Sequence, residues 1–148
     1  MNSSAELQSI LLDPAQSGAY FFAEDDTAAL LAAAQAIEFR VADISLQGAT
    51  DKVELMERLA AGLQIPSWFG GNWDGLADVL RDLSWLPAAP GYLICLRHAS
   101  GLRVAEPNEF DTLLDVLNEA AFLWADDGKP FWAILPLPAD ELPDTDDD

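Results

Sequence analysis

Three aspartates, Asp74, Asp78 and Asp82, recur at intervals of four in the segment NWDGLADVLRDL. Carboxylates at that spacing could serve as an acid and base pair, or as a row of fixed anions that meets cations. On a helix turning about 100° per residue with Asp74 at zero, Asp78 falls near 40° and Asp82 near 80°. On the same wheel Leu76, Val79, Leu80 and Leu83 cluster between about 140° and 240°, so the acids form a stripe opposite the apolar one. Glycoside-hydrolase chemistry needs two carboxylates opposed across a concave site, and two acids one turn apart on a convex face do not provide it. Like charges at i, i+4 cost a helix about 0.2–0.5 kcal/mol per pair, a penalty that an external cation relieves. An ordinary solvated helix face gives the same pattern, and on spacing alone both readings stand.

Immediately before the stripe lie Trp68, Phe69, Gly70 and Gly71, followed by Asn72, a good helix N-cap. Aromatic rings on a glycine-containing loop beside charges suit an interface anchor; they equally suit closure of a core. The glycine pair lacks the spaced glycines and lysine of phosphate-binding loops. Trp73, Trp85, Trp124 and Trp132 read as packing residues, because a stacking platform for single-stranded nucleic acid needs a basic groove. With one cysteine, Cys95, and one histidine, His98, there is no cluster of metal-ligand spacing, and neither metal nor cofactor is expected. Cys95 lies in an apolar run and reads as a small core residue rather than a reactive thiol.

The elements that must position these residues follow from the rest of the chain. Its 148 residues are 51% hydrophobic, enough for one domain with a substantial core. Against 26 Asp and Glu stand 7 Lys and Arg, a formal net charge of −19 that repels nucleic acid and anionic membrane and attracts a cationic partner. The lone cysteine indicates a reducing compartment, and no leader or membrane-length apolar run is evident, so a cytoplasmic location is expected. Residues 19–22 predict a strand, Thr27–Ile37 a helix and Phe39–Leu46 a second strand. Asp51 with Glu54 forms a capping box, followed by Val53, Met56, Leu59, Ala60 and Leu63 as an inward face. The acidic helix spans Asn72–Leu83, Gly91–Arg97 predicts a buried strand, Pro107 opens a long helix to about Gly128, and Phe131–Leu135 forms the last strand. Strands alternating with helices imply a mainly parallel sheet flanked by helices. One domain over 1–138 is expected, followed by an acidic, solvated tail over 139–148.

The run IPSWFGGNWDGLADVLRDLSWL, Ile65 to Leu86, resembles the signature of barstar-type ribonuclease inhibitors: a Pro-aromatic-aromatic-Gly loop leading through Asn into a helix with two Asp four residues apart. The likeness extends over roughly residues 40 to 136. It implies an α/β barstar-like fold with a core over 41–138, to which residues 1–40 add a strand and a helix. It further implies that the chain is no enzyme but a monomeric inhibitor that plugs the active site of a basic, barnase-like ribonuclease, its carboxylates standing in for RNA phosphates. By motif position Asp78 would be the principal phosphate mimic and Asp74 its neighbour, with Trp68 on the enzyme's catalytic face and Glu119 an accessory acidic contact. The partner-binding set is therefore Trp68, Phe69, Gly70, Gly71, Asn72, Asp74, Asp78, Asp82 and Glu119. Two positions depart from the family pattern: Ala77 replaces a larger aromatic, and Arg81 falls near −20° on the wheel, beside Asp74 and Asp78. A barstar-fold module serving a basic protein that is not a ribonuclease is the alternative, since fold does not fix function.

Overall fold

The computed structural model describes residues 4–65, 71–83, 86–138 and 140. Among these residues four strands form one sheet: β1 (Ala19–Ala23), β2 (Arg40–Ser45), β3 (Tyr92–Arg97) and β4 (Phe131–Leu137). Their order is β1-β4-β3-β2 and every pairing is parallel, with Ala19 opposite Ala133, Arg40 opposite Tyr92 and Tyr92 opposite Phe131. Among the described residues six α-helices flank it: α1 (Ser4–Leu11), α2 (Thr27–Ala36), α3 (Lys52–Gly62), α4 (Trp73–Asp82), α5 (Ser100–Ala105) and α6 (Pro107–Asp126).

The period-2 alternation of side chains divides the central strands between two cores. Tyr92, Ile94 and Leu96 of β3 and Phe131, Ala133 and Leu135 of β4 face one way, against leucines of α3, α4, α5 and α6. Leu93 and Cys95, with Trp132 and Ile134, face the other way, against Leu7 and Leu11 of α1 and Leu30, Ala33 and Ala34 of α2. Because both faces are covered, β3 and β4 read as nearly unbroken apolar runs. The edge strand β2 instead exposes Asp43 and Ser45, and Asp43 pairs with Arg97 at 2.7 Å. A charged edge of this kind resists pairing with another chain.

The N-terminal segment contributes more than the expected strand and helix. Helix α1 was not foreseen, and it closes the second face of the sheet: Trp132, 5% exposed, donates its indole N–H to the Leu11 carbonyl at 2.9 Å. Helix α5 was likewise missed, its six residues being too few to display a period. On α3 the inward stripe is Leu55, Met56 and Leu59, while Val53 is exposed. Val53 and Leu55 are two positions apart, about 200° around the helix, so only one of them can face the core, and it is the larger leucine. Burial pushes the Cys95 thiol up to about 12, with the Asp43 carboxylate adding to the effect, which matches an inert core residue.

Candidate functional site

The acidic helix begins where the sequence places its cap. Asn72 is extended, and its side-chain oxygen accepts from the Gly75 N–H at 2.7 Å, satisfying one of the orphan donors of the first turn. Gly71 approaches this cap at φ +73, a left-handed conformation that suits glycine. The helix ends at Leu83, whose backbone turns left-handed at φ 52. Between these ends Leu76, Val79 and Leu80 are buried, joined by Leu83 beyond the last turn. Asp74, Asp78 and Asp82 are all exposed on the opposite side. The structure thus brings these three acids together on one face of one helix.

Two indole hydrogen bonds brace that helix against α6. Trp73 donates to the Glu109 carboxylate at 3.0 Å near the helix N-terminus, and Trp124 donates to the Leu80 carbonyl at 2.7 Å near its other end. Neither brace was legible in the sequence, since each joins residues more than thirty positions apart and a tryptophan shows no sign of its partner. Arg81 forms an ion pair with Asp78 one turn back, as its position on the wheel suggests. Both side chains are well exposed, so the pair is weak and a partner's cation can compete for Asp78.

Glu119 sits apart from this row. It is exposed on α6, about 160° around that helix from the buried Leu117, so it points to solvent from a neighbouring helix. Trp68, Phe69 and Gly70 lie outside the described residues, as do Trp85 and, Asp140 excepted, the acidic tail from Ala139. Among the described residues no group of three or more His, Cys, Asp or Glu could hold a metal ion, and no helix is long and apolar enough to cross a membrane. What the site can do chemically is present a solvent-facing row of carboxylates, on a braced helix, to a cationic surface.

Comparison with known proteins finds a family match and similar solved structures. Residues 39–136 match the family described as Barstar (barnase inhibitor). Among solved structures, the chain is similar to one in a structure of Drosophila ORC bound to DNA, with a TM-score of 0.53 and 18% identity. That match covers 94% of this chain but 38% of the other, and at this identity it speaks to the fold alone. No curated protein matches in sequence.

Proposed function

The chain belongs to the barstar family, and from that premise we propose that it inhibits a basic ribonuclease by seating the acidic face of α4 in the enzyme's active site. The observation that carries this reading is the fixed row of Asp74, Asp78 and Asp82, held opposite a buried stripe and braced at both ends by Trp73 and Trp124. Because the helix that carries the row is braced, binding need not order its backbone. A ribonuclease active site is built to hold phosphates, so its Arg and Lys side chains accept carboxylates in the same places. In this reading Asp78 is the principal phosphate mimic, Asp74 and Asp82 flank it, and Glu119 makes a peripheral contact from α6. Asn72 and Gly71 set the start of the helix, and the preceding Trp68-Phe69-Gly70 segment joins the contact by its place in the motif.

Net charge supports the assignment from longer range. At −19 the chain attracts a basic enzyme and repels the RNA that enzyme acts on. The barnase and barstar pair is itself the reference case for such electrostatic steering. The same charge is unfavourable to DNA contact of the kind described for the ORC structure. A single cysteine buried as a thiol fits a reducing, cytoplasmic setting. The chain acts stoichiometrically in this scheme, as a protein ligand rather than a catalyst.

An inhibition titration tests the proposal: a barnase-class ribonuclease is assayed on a fluorogenic RNA substrate while the full chain is added. Activity should fall linearly to zero at one equivalent when the enzyme concentration exceeds the dissociation constant. If the enzyme stays active and the chain instead captures a different basic protein, the module serves another partner. Binding that leaves the active site open to substrate would refute the phosphate-mimic geometry.

A further inference from the structure

A second surface lies on the C-terminal half of α6, on a different helix from the acidic row of α4 and next to Glu119, the peripheral contact proposed above. Between the turn Pro14–Gln16 and the C-terminal half of α6 runs a groove of about 700 Å³, lined among others by Asp13, Pro14, Ser17, Asn118, Phe122 and Asp126. Phe122 stands on its wall with 74% of its surface exposed. A phenyl ring so exposed loses free energy to water that docking would recover. The wall opposite is fixed in place: Asp13 caps the turn by accepting from the Ala15 N–H at 3.0 Å and the Gln16 side chain at 2.9 Å. Asn118 ties the groove to the sheet by accepting from the Ala19 N–H at 2.9 Å. Each Asp13 oxygen keeps further acceptor capacity for a ligand.

Charge selects the occupant. Helix α6 contains no Lys or Arg, and its outward residues Asp111, Asp115, Glu119 and Asp126 are exposed carboxylates. A second copy of a chain with net charge −19 is repelled here, as is any phosphate-bearing ligand. We propose that this groove docks a basic segment of a protein partner, one Lys or Arg side chain lying across the Phe122 ring between Asp13 and Asp126. A cation over an aromatic face and flanked by carboxylates gains from both contacts. One wall of the groove, Asp13, Pro14, Ala15 and Ser17, comes from residues that precede Phe39, where the family match begins. The docking surface is therefore a property the N-terminal segment adds to the family's core, and it stands independently of the reading of α4.

Titration of the ¹⁵N-labelled full chain with an acetylated hexapeptide of alternating Arg and Leu tests this, with the Glu and Leu counterpart as control. Saturable amide shifts are expected at Ala15, Ser17, Asn118 and Ala125 with the basic peptide only. Phe122→Ala and Asp126→Asn should each weaken that binding by roughly fivefold or more. Both side chains are exposed, so thermal melts of the two variants should overlay the wild type. The inference is overturned if these amides do not shift, if shifts are confined to α4, if the acidic peptide binds equally, or if Phe122→Ala binds as the wild type does. A concentration-dependent dimer that Phe122→Ala abolishes would assign the groove to a second copy and would equally overturn it.

Discussion

Replacing Asp78 by alanine separates the proposed binding role from any structural one, because the structure sets different magnitudes for the two. Asp78 is two-thirds exposed and its partner Arg81 about half exposed, so their ion pair contributes no more than about 0.5 kcal/mol to folding. Alanine also has the higher helix propensity, by roughly 0.5 kcal/mol, which offsets that loss. The net change in stability should therefore stay within about 0.5 kcal/mol, a shift in Tm of about 2 °C for a domain of this size. Binding should respond far more strongly, because the partner's cations would be buried without a counter-charge. A loss above about 2 kcal/mol is expected, close to a thirtyfold rise in Kd. The assay is a kinetic titration against an immobilised basic ribonuclease, with thermal melts of the same samples. Asp78→Asn keeps the shape and removes the charge, and should lose most of the same affinity. Arg81→Ala, which removes the internal competitor for Asp78, should tighten binding about twofold. Rising salt should slow association of wild type, whereas the loss in Asp78→Ala should appear mainly as faster dissociation. A Kd for Asp78→Ala within threefold of wild type would refute the phosphate-mimic role, and a melting loss far beyond the stated range would make Asp78 structural instead.

Three further outcomes test how the fold holds the site. Asn72→Ala removes the acceptor for the Gly75 N–H and should cost about 1 kcal/mol in chemical denaturation, whereas Asn72→Asp, another good cap, should cost little. Trp132→Phe leaves the Leu11 carbonyl without its indole donor and thins the core under α1; roughly 2 kcal/mol should be lost, and an unchanged denaturation midpoint would show that α1 does not depend on this bond. For Cys95 the folded thiol titrates at about 12 against an ordinary value of 9.0, so the unfolded chain releases its proton first as pH rises. Stability from this group is complete below about pH 9 and is lost as pH climbs toward 12. Melting temperatures should accordingly fall more steeply from pH 8 to 10.5 in wild type than in Cys95→Ala, and parallel slopes would contradict the burial-driven shift.

Much of the candidate site was legible in the sequence because its determinants are local. The Asn72 cap, the apolar stripe of Leu76, Val79, Leu80 and Leu83, and the acids opposite them all follow from the geometry of one helix, which needs no neighbour to specify it. The same holds for the strands: apolar runs bounded by prolines and glycines gave β3 to within one residue, while β4 runs on through Pro136 to Leu137, two residues past the expected end; their alternation with helices gave a parallel sheet. Tertiary structure decided what depends on residues far apart in the chain. It placed β1 on the outer side of β4, chose Leu55 over Val53 for the core, and laid α1 across the second face through a contact between Leu11 and Trp132, 121 positions apart. It also braced α4 against α6 through Trp73 and Trp124. The physical reason is that a helix or strand states its own period in its residues, while the choice among partners for its faces is made by packing, which fills space with whichever segments the whole chain brings there.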